Sequence, residues 1–140
     1  MVIQGRKLKM TQIFLNDEAL GATPIKLDSD ASLDAFKAHD AVKVSGVSKG
    51  KGFQGVVKRH GFSGGPKTHG QKNRYRAPGS IGSTAPQRVL PGRRMAGRMG
   101  GGRVTIKNLE IIGIDAEKKI LLLRGAVPGN TGGRVEIYKA

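Results

Sequence analysis

The residues whose spacing most resembles a chemical motif are residues 50–55, which match the pattern G-x-G-x-x-G. In dinucleotide-binding proteins this pattern needs a following helix and an acidic residue about 20 positions further on. Pro66 and the four glycines between positions 61 and 70 argue against such a helix, and no acidic residue follows before Glu110. The motif is then either a flexible turn beside lysines or, as a better fit, a loop whose bare backbone can approach phosphates closely.

Two histidines, His60 and His69, are the candidates for metal ligands in the same stretch. The chain has no Cys, and no carboxylate lies near these histidines in sequence, so we expect no metal site. Contact with nucleic acid or plain solvation accounts for them better. The serines of this stretch lack an evident base and orienting partner, which general acid–base chemistry requires. The sequence therefore predicts no enzyme activity, no cofactor and no small-molecule substrate.

The net charge of the chain is concentrated in one segment. The 140 residues carry a formal charge of +15, yet residues 41–109 contain no Asp or Glu. The same segment carries fifteen Lys and Arg, whereas ten basic residues face ten acidic ones outside it. Because such a surface cannot neutralise itself, we expect a polyanionic partner, and nucleic acid is the leading candidate.

Aromatic residues are interleaved with these cations. Tyr75 lies between two arginines and is expected to touch RNA. Phe53 and Phe62 either stack on exposed nucleobases or anchor the segment to the rest of the protein, and both interpretations stay open. The predicted RNA-binding residues are Lys49, Lys51, Lys58, Arg59, His60, Lys67, His69, Lys72, Arg74, Tyr75, Arg76, Arg88, Arg93, Arg94, Arg98 and Arg103.

The elements that must position these residues fall into three zones, residues 1–48, 49–103 and 104–140. Alternating and β-rich runs predict strands, whereas the middle zone has fourteen glycines and no persistent period. A core cannot be built from that composition, so we expect residues 49–103 to be a long irregular extension that becomes ordered on a partner. The predicted elements of the first zone are strands over residues 10–15, 22–27 and 41–45, a turn over 16–21 and a short helix over 32–39.

Residues 104–140 return to strands separated by Gly- and Pro-containing turns. Residues 119–125 are apolar on both faces, which predicts a central strand with Leu122 in the core. Strands are also predicted over 103–115 and 134–138. The fold class is therefore mainly β: residues 1–48 and 104–140 together form one small, closed or partly open β-barrel domain, and residues 49–103 form its basic extension.

The bulk composition restricts where the protein is expected to work. No apolar run approaches the roughly 20 residues of a membrane-spanning helix. The first residues lack the apolar region of a signal peptide, and the absence of Cys agrees with a reducing compartment. These features predict a soluble, cytoplasmic protein that does not contact a membrane.

Residues 46–62 closely resemble the hallmark stretch of bacterial large-subunit ribosomal protein L-three. Residues 76–82, 94–100 and 125–129 resemble further motifs of that family in the right order, and residues 10–14 resemble its opening strand. The match is continuous from residue 36 to the end and looser over the first 27 residues. Family members have a few more strands between the equivalents of Leu27 and Phe36, so this barrel is shortened. A natural reduced protein and an engineered minimal one both fit that shortening.

The resemblance implies a β-barrel of the translation-protein type that binds large-subunit rRNA. It also implies an extension that passes through rRNA toward the peptidyl transferase centre, a role in early subunit assembly, and the large-subunit proteins fourteen and nineteen as neighbours. The alternative function is a non-ribosomal RNA chaperone or nucleic-acid-compacting protein. Dispersed glycines and long irregular loops fit insertion into folded RNA better than groove reading by a helix.

Overall fold

The computed structural model describes residues 2–15, 17–28 and 36–139, which contain nine strands and one short helix. The chain divides into two compact units, one formed by residues 1–49 with 101–140 and the other by residues 50–100. We call them the barrel unit and the basic unit. The elements are β1 (Val2–Lys7), β2 (Thr11–Leu15), β3 (Glu18–Leu27), β4 (Ala41–Val47), β5 (Gly52–Gln54), α1 (Val56–His60), β6 (Gly97–Met99), β7 (Arg103–Asp115), β8 (Ile120–Arg124) and β9 (Arg134–Lys139).

Six strands of the barrel unit form a closed antiparallel ring. Their order is β1-β9-β4-β7-β8-β3, and β1 pairs with β3 to close the ring. At this closure a Cβ on Gly5 would lie 2.7 Å from the carbonyl oxygen of Lys26, so the two strands approach too closely for any side chain. β2 pairs with residues 18–22 of β3, on the same edge of β3 that pairs with β1 further along the strand. The ring confirms the predicted mainly β, barrel-like fold.

The core fills the inside of this ring because inward-facing residues alternate with outward-facing ones along the strands. In β1 and β9, for example, Ile3, Val135 and Ile137 are buried while their chain neighbours are half-buried or exposed. The buried cluster comprises Ile3, Ile25, Leu27, Phe36, Val42, Val44, Ile111, Leu121, Leu123, Val127, Val135 and Ile137.

β8 is an internal strand, as its apolar sequence predicted, and it pairs with β7 and β3. Leu121 and Leu123 are fully buried in the core. Leu122 is only half-buried and lies on the other face of the strand, so its predicted position in the core was wrong. Four consecutive apolar residues carry no alternation, and the register with β3 and β7 decides which of them face inward.

Two further predictions for the first zone need correction. Residues 18–21 belong to β3 rather than to a turn, and Asp17, with a φ of 64°, is the described residue at which the chain reverses. β1 was not predicted as a separate strand. The first half of the predicted helix over 32–39 lies outside the described residues, and its second half, residues 36–39, contains no helix.

Ion pairs on the surface of the barrel unit involve several of its carboxylates. Glu110 accepts a hydrogen bond from His39 Nδ1 at 2.8 Å and another from Arg124 Nη1 at 3.1 Å. Both bonds lower the pKa of Glu110 below its ordinary value of 4.5, and the bond from His39 has the larger effect. The pKa of Asp40 is also lowered, mainly by a hydrogen bond from the backbone N–H of Lys37 and secondly by one from the side chain of Lys139.

Acidification should therefore weaken the barrel unit. A carboxyl whose pKa is depressed by folding stabilises the fold above its unfolded pKa, and that contribution is lost as the pH falls through the lower, folded value. Glu110→Gln should flatten the dependence of the urea midpoint on pH below about 4.5, the ordinary value for Glu. Glu117→Gln is the control, because Glu117 is exposed and forms no ion pair among the described residues. Equal acid dependence in the Glu110→Gln protein and the wild type would contradict the assignment.

No helix in the described ranges is long and apolar enough to cross a membrane.

Candidate nucleic-acid interface

The basic unit is held by a small β-ribbon rather than by a core. β5 and β6 pair antiparallel, with Phe53 opposite Arg98 and Gln54 opposite Gly97. Val56 is the one buried apolar side chain in residues 50–100, all of which the structure describes. This agrees with the sequence argument that the segment cannot build a core. Whether the segment needs a partner to become ordered stays a prediction.

A helix does follow the glycine motif, so the sequence argument against one was wrong at this point. α1 begins directly after Gly55 and lasts for five residues. Gly61 then adopts a left-handed conformation with a φ of 73°, and its N–H donates to the carbonyl of Val57, which ends the helix. Because β5 pairs antiparallel with β6, the motif is not part of the parallel βαβ unit that a dinucleotide site requires.

Charge in the basic unit is of one sign. Residues 50–100 contain eleven Lys and Arg and no Asp or Glu. Of the sixteen predicted RNA-binding residues, Lys49 and Arg103 lie in the barrel unit and the other fourteen in the basic unit. All are exposed except Arg59 and His60, which are half-buried. The basic unit therefore presents its cations to solvent without an internal counter-charge.

Arg59 and His60 have internal partners that the sequence did not indicate. Arg59 Nη1 and His60 Nε2 both donate to the carbonyl oxygen of Met95, at 2.6 and 3.0 Å. A Cβ on Gly97 would lie 2.8 Å from Arg59 Nη1, so this glycine makes room for the guanidinium. The two side chains hold residues 95–97 beside α1. Their role within the unit is thus to position the chain.

Two other arginines also have protein partners. Arg93 donates to the carbonyl oxygen of Ser80, which ties together two irregular segments. Arg103 pairs with Glu136 and donates to the hydroxyl of Tyr138 at 2.8 Å. The Glu136 carboxylate balances the positive charge of Arg103. Arg103 therefore differs from the cations of the basic unit, which has no carboxylate.

The three aromatic candidates differ in how far they are covered. Phe53 is 76% exposed, so the interpretation of Phe53 as an anchor does not hold. Phe62 is half-buried, with its ring 5.9 Å from that of His60. Tyr75 is partly exposed, and its hydroxyl donates to the carbonyl of Gln71 at 2.6 Å. Phe53 is therefore the most exposed of these three rings.

A close backbone approach fixes the loop that carries Arg74 and Arg76. The N–H of Gly65 lies 3.2 Å from the carbonyl oxygens of both Arg74 and Tyr75. A Cβ on Gly64, whose φ is 77°, would lie 2.0 Å from the Tyr75 oxygen. Neither backbone can move without breaking this contact, so position 64 requires glycine.

Gly64→Ala should open this loop. The added methyl group would displace the backbone at Tyr75, and we expect trypsin to cleave after Arg74 and Arg76 several-fold faster. Gly70→Ala is the matched control, because Gly70 has a φ of 88° but nothing within 4 Å of its Cβ position. That variant incurs only the cost of the left-handed conformation, about 1–3 kcal/mol. Equal cleavage of both variants would show that the close approach is unimportant.

Among the described residues no group of three or more His, Asp or Glu is arranged to hold a metal ion.

Similarity to known proteins defines the class of this molecule. Residues 22–121 match the family model described as ribosomal protein L3. The chain belongs to the ribosomal protein L3 family, which is a family of structural proteins and not of enzymes. This confirms the resemblance drawn from residues 46–62 and the motifs that follow them.

Individual relatives carry the name large ribosomal subunit protein uL3. The chain is 52% identical to that of Thioalkalivibrio sulfidiphilus over 112 residues, which are 79% of this chain and 52% of the relative. It is 50% identical to that of Nostoc sp. over 121 residues, or 86% and 57% of the two chains. It is 51% identical to that of Vibrio cholerae serotype O1 over 113 residues, or 80% and 54%. The chain thus spans about half the length of the curated relatives it matches.

Proposed function

We propose that this protein is a structural constituent of the large ribosomal subunit and binds rRNA directly through its basic unit. The observation that carries the proposal is a folded unit with eleven cations, no carboxylate and almost no buried apolar side chain. A polyanion threaded around such a unit supplies the counter-charge that the protein lacks. The relatives are named large ribosomal subunit proteins, and we propose large-subunit rRNA as that polyanion.

The barrel unit has a different role in this proposal. Its carboxylates include several that are paired with its own cations, and its core is closed, so it provides a stable base from which the chain of the basic unit departs and to which it returns. Family membership supports the finer assignments. These are support of subunit assembly, a basic unit that reaches toward the peptidyl transferase centre, large-subunit proteins fourteen and nineteen as neighbours, and a cytoplasmic, ribosome-associated location.

The candidate contacts to RNA are not equivalent. Exposed cations that have no side-chain partner among the described residues, such as Arg76, Arg88, Arg94 and Arg98, are available to phosphates. Arg59 and His60 shape the unit, and Arg103 is compensated by Glu136. We therefore assign most of the salt-dependent affinity to the first group.

Sedimentation of a tagged protein from bacterial cells tests the proposal. We expect the protein to migrate with large subunits in a sucrose gradient, to stay there in moderate salt, and to be released by ribonuclease. A variant with Arg76, Arg88 and Arg94 replaced by Ala should be released at lower salt. Migration spread over all RNA-containing fractions would instead favour a general RNA chaperone, and protein at the top of the gradient would contradict both functions.

A further inference from the structure

The β5–β6 ribbon has one packed face and one open face. Gly97 receives the guanidinium of Arg59, and Gln54 opposite it is half-buried, with its side chain donating to the carbonyl of Lys51. Met99 is half-buried as well. The open face carries the pair formed by Phe53 and Arg98, both of them exposed. Directly opposed residues of antiparallel strands share a face, so this ring and this guanidinium lie side by side.

The surroundings of Phe53 leave space for a planar ligand. Gly50, Gly52 and Gly55 flank it in sequence, and nothing lies within 4 Å of a Cβ built on any of the three. No side chain therefore competes for the faces of the phenyl ring from these positions. Arg98 forms no side-chain hydrogen bond or ion pair with the described residues, so its donors remain available.

The ligand must satisfy both an apolar ring and a cation in a segment without carboxylates. A nucleotide with an unpaired base meets this requirement, because its base has an aromatic face and its phosphate carries the negative charge. A purely apolar protein surface would cover Phe53 but would bury Arg98 without a counter-charge. We propose that Phe53 stacks on an unpaired nucleobase while Arg98 binds the adjacent phosphate. This site rests on the proposed function, since it specifies how the basic unit holds its RNA.

The other aromatic residues of the basic unit are less suited to this role. The hydroxyl of Tyr75 is bonded within its own loop, and Phe62 is half-buried beside His60. Phe14 is nearly as exposed as Phe53, at 74%, but it lies on β2 of the barrel unit. Phe14 is thus a matched control for an exposed phenyl ring outside the basic unit.

The test uses the full chain and two single-stranded oligoribonucleotides of equal length, one of adenosines and one with abasic sites. The chain has no Trp, so Phe53→Trp and Phe14→Trp each introduce a single fluorescent reporter. We expect the adenosine strand to quench the Phe53→Trp emission and the abasic strand to leave it unchanged. Phe14→Trp should respond to neither strand.

Affinity measurements complete the test. Phe53→Ala should weaken binding of the adenosine strand about 5- to 150-fold, the range expected for one stacked base, without changing the salt slope. Phe14→Ala should bind as the wild type does, and Arg98→Gln should reduce the salt slope by about 1. Equal affinity of Phe53→Ala and wild type for both strands would overturn the stacking site while leaving salt-dependent RNA binding intact. Absence of salt-dependent binding by the wild type would instead refute the proposed function.

Discussion

Replacing Leu121 by Ala should lower the free energy of unfolding of the barrel unit by about 2–5 kcal/mol. Leu121 is fully buried on β8, where it pairs with Ile25 of β3 and Ile114 of β7. β8 is held between β3 and β7 within the closed ring, so the surrounding residues can fill only part of the space left by the side chain. Small domains have only about 5–15 kcal/mol of total stability, and this loss is therefore a large part of it. Urea unfolding followed by circular dichroism measures the effect.

Leu122→Ala is the matched control on the same strand. Leu122 is half-buried on the opposite face of β8, so its removal leaves no cavity in the core and should have a clearly smaller effect. Leu123→Ala should resemble Leu121→Ala, because Leu123 is also fully buried. A larger loss for Leu122→Ala than for Leu121→Ala would show that the register of β8 has been assigned incorrectly.

The case of β8 shows which part of the fold the sequence could predict. A run of apolar residues between polar turns was sufficient to identify an internal strand. It did not reveal which leucines face the core, because that depends on hydrogen-bonded neighbours distant in sequence. The same cause explains residues 18–21, which follow the turn-favouring Asn16 and Asp17 in sequence but pair with β2. Local composition was overridden there by cross-strand pairing.

The candidate interface shows a similar division. The absence of acidic residues is a property of composition, so the basic segment could be recognised without a structure. The internal bonds of Arg59 and His60 could not, because their acceptor, Met95, is 36 and 35 residues away. The short helix after Gly55 was missed because the glycines from position 61 onward limit its length but do not prevent its first turn. Exposure of Phe53 follows from the pairing of β5 with β6, and no local signal indicates that partner.

Replacing Arg76, Arg88 and Arg94 together by Ala should produce the largest loss of RNA affinity. All three are exposed, and none forms a side-chain hydrogen bond or ion pair with the described residues. For the wild type we expect the logarithm of the binding constant to fall against the logarithm of salt concentration with a slope of about −5 to −7. Each lost phosphate contact removes about 0.7–0.9 from that slope. The triple variant should therefore have a slope smaller by about 2–3.

The matched control removes the same formal charge from the barrel unit, through Arg6→Gln, Lys26→Gln and Lys118→Gln. These three residues are exposed, but they lie in a unit that has its own carboxylates, such as Asp28 and Asp115. If binding followed only the net charge of the protein, both triple variants would lose affinity equally. Because we place the phosphate contacts in the basic unit, the control should retain nearly the wild-type slope. The free energies of unfolding of the two variants should also agree to within about 0.5 kcal/mol, which is the usual size of a surface effect. Equal slopes for the two variants would mean that the basic unit attracts RNA only through its long-range field and not through direct contacts.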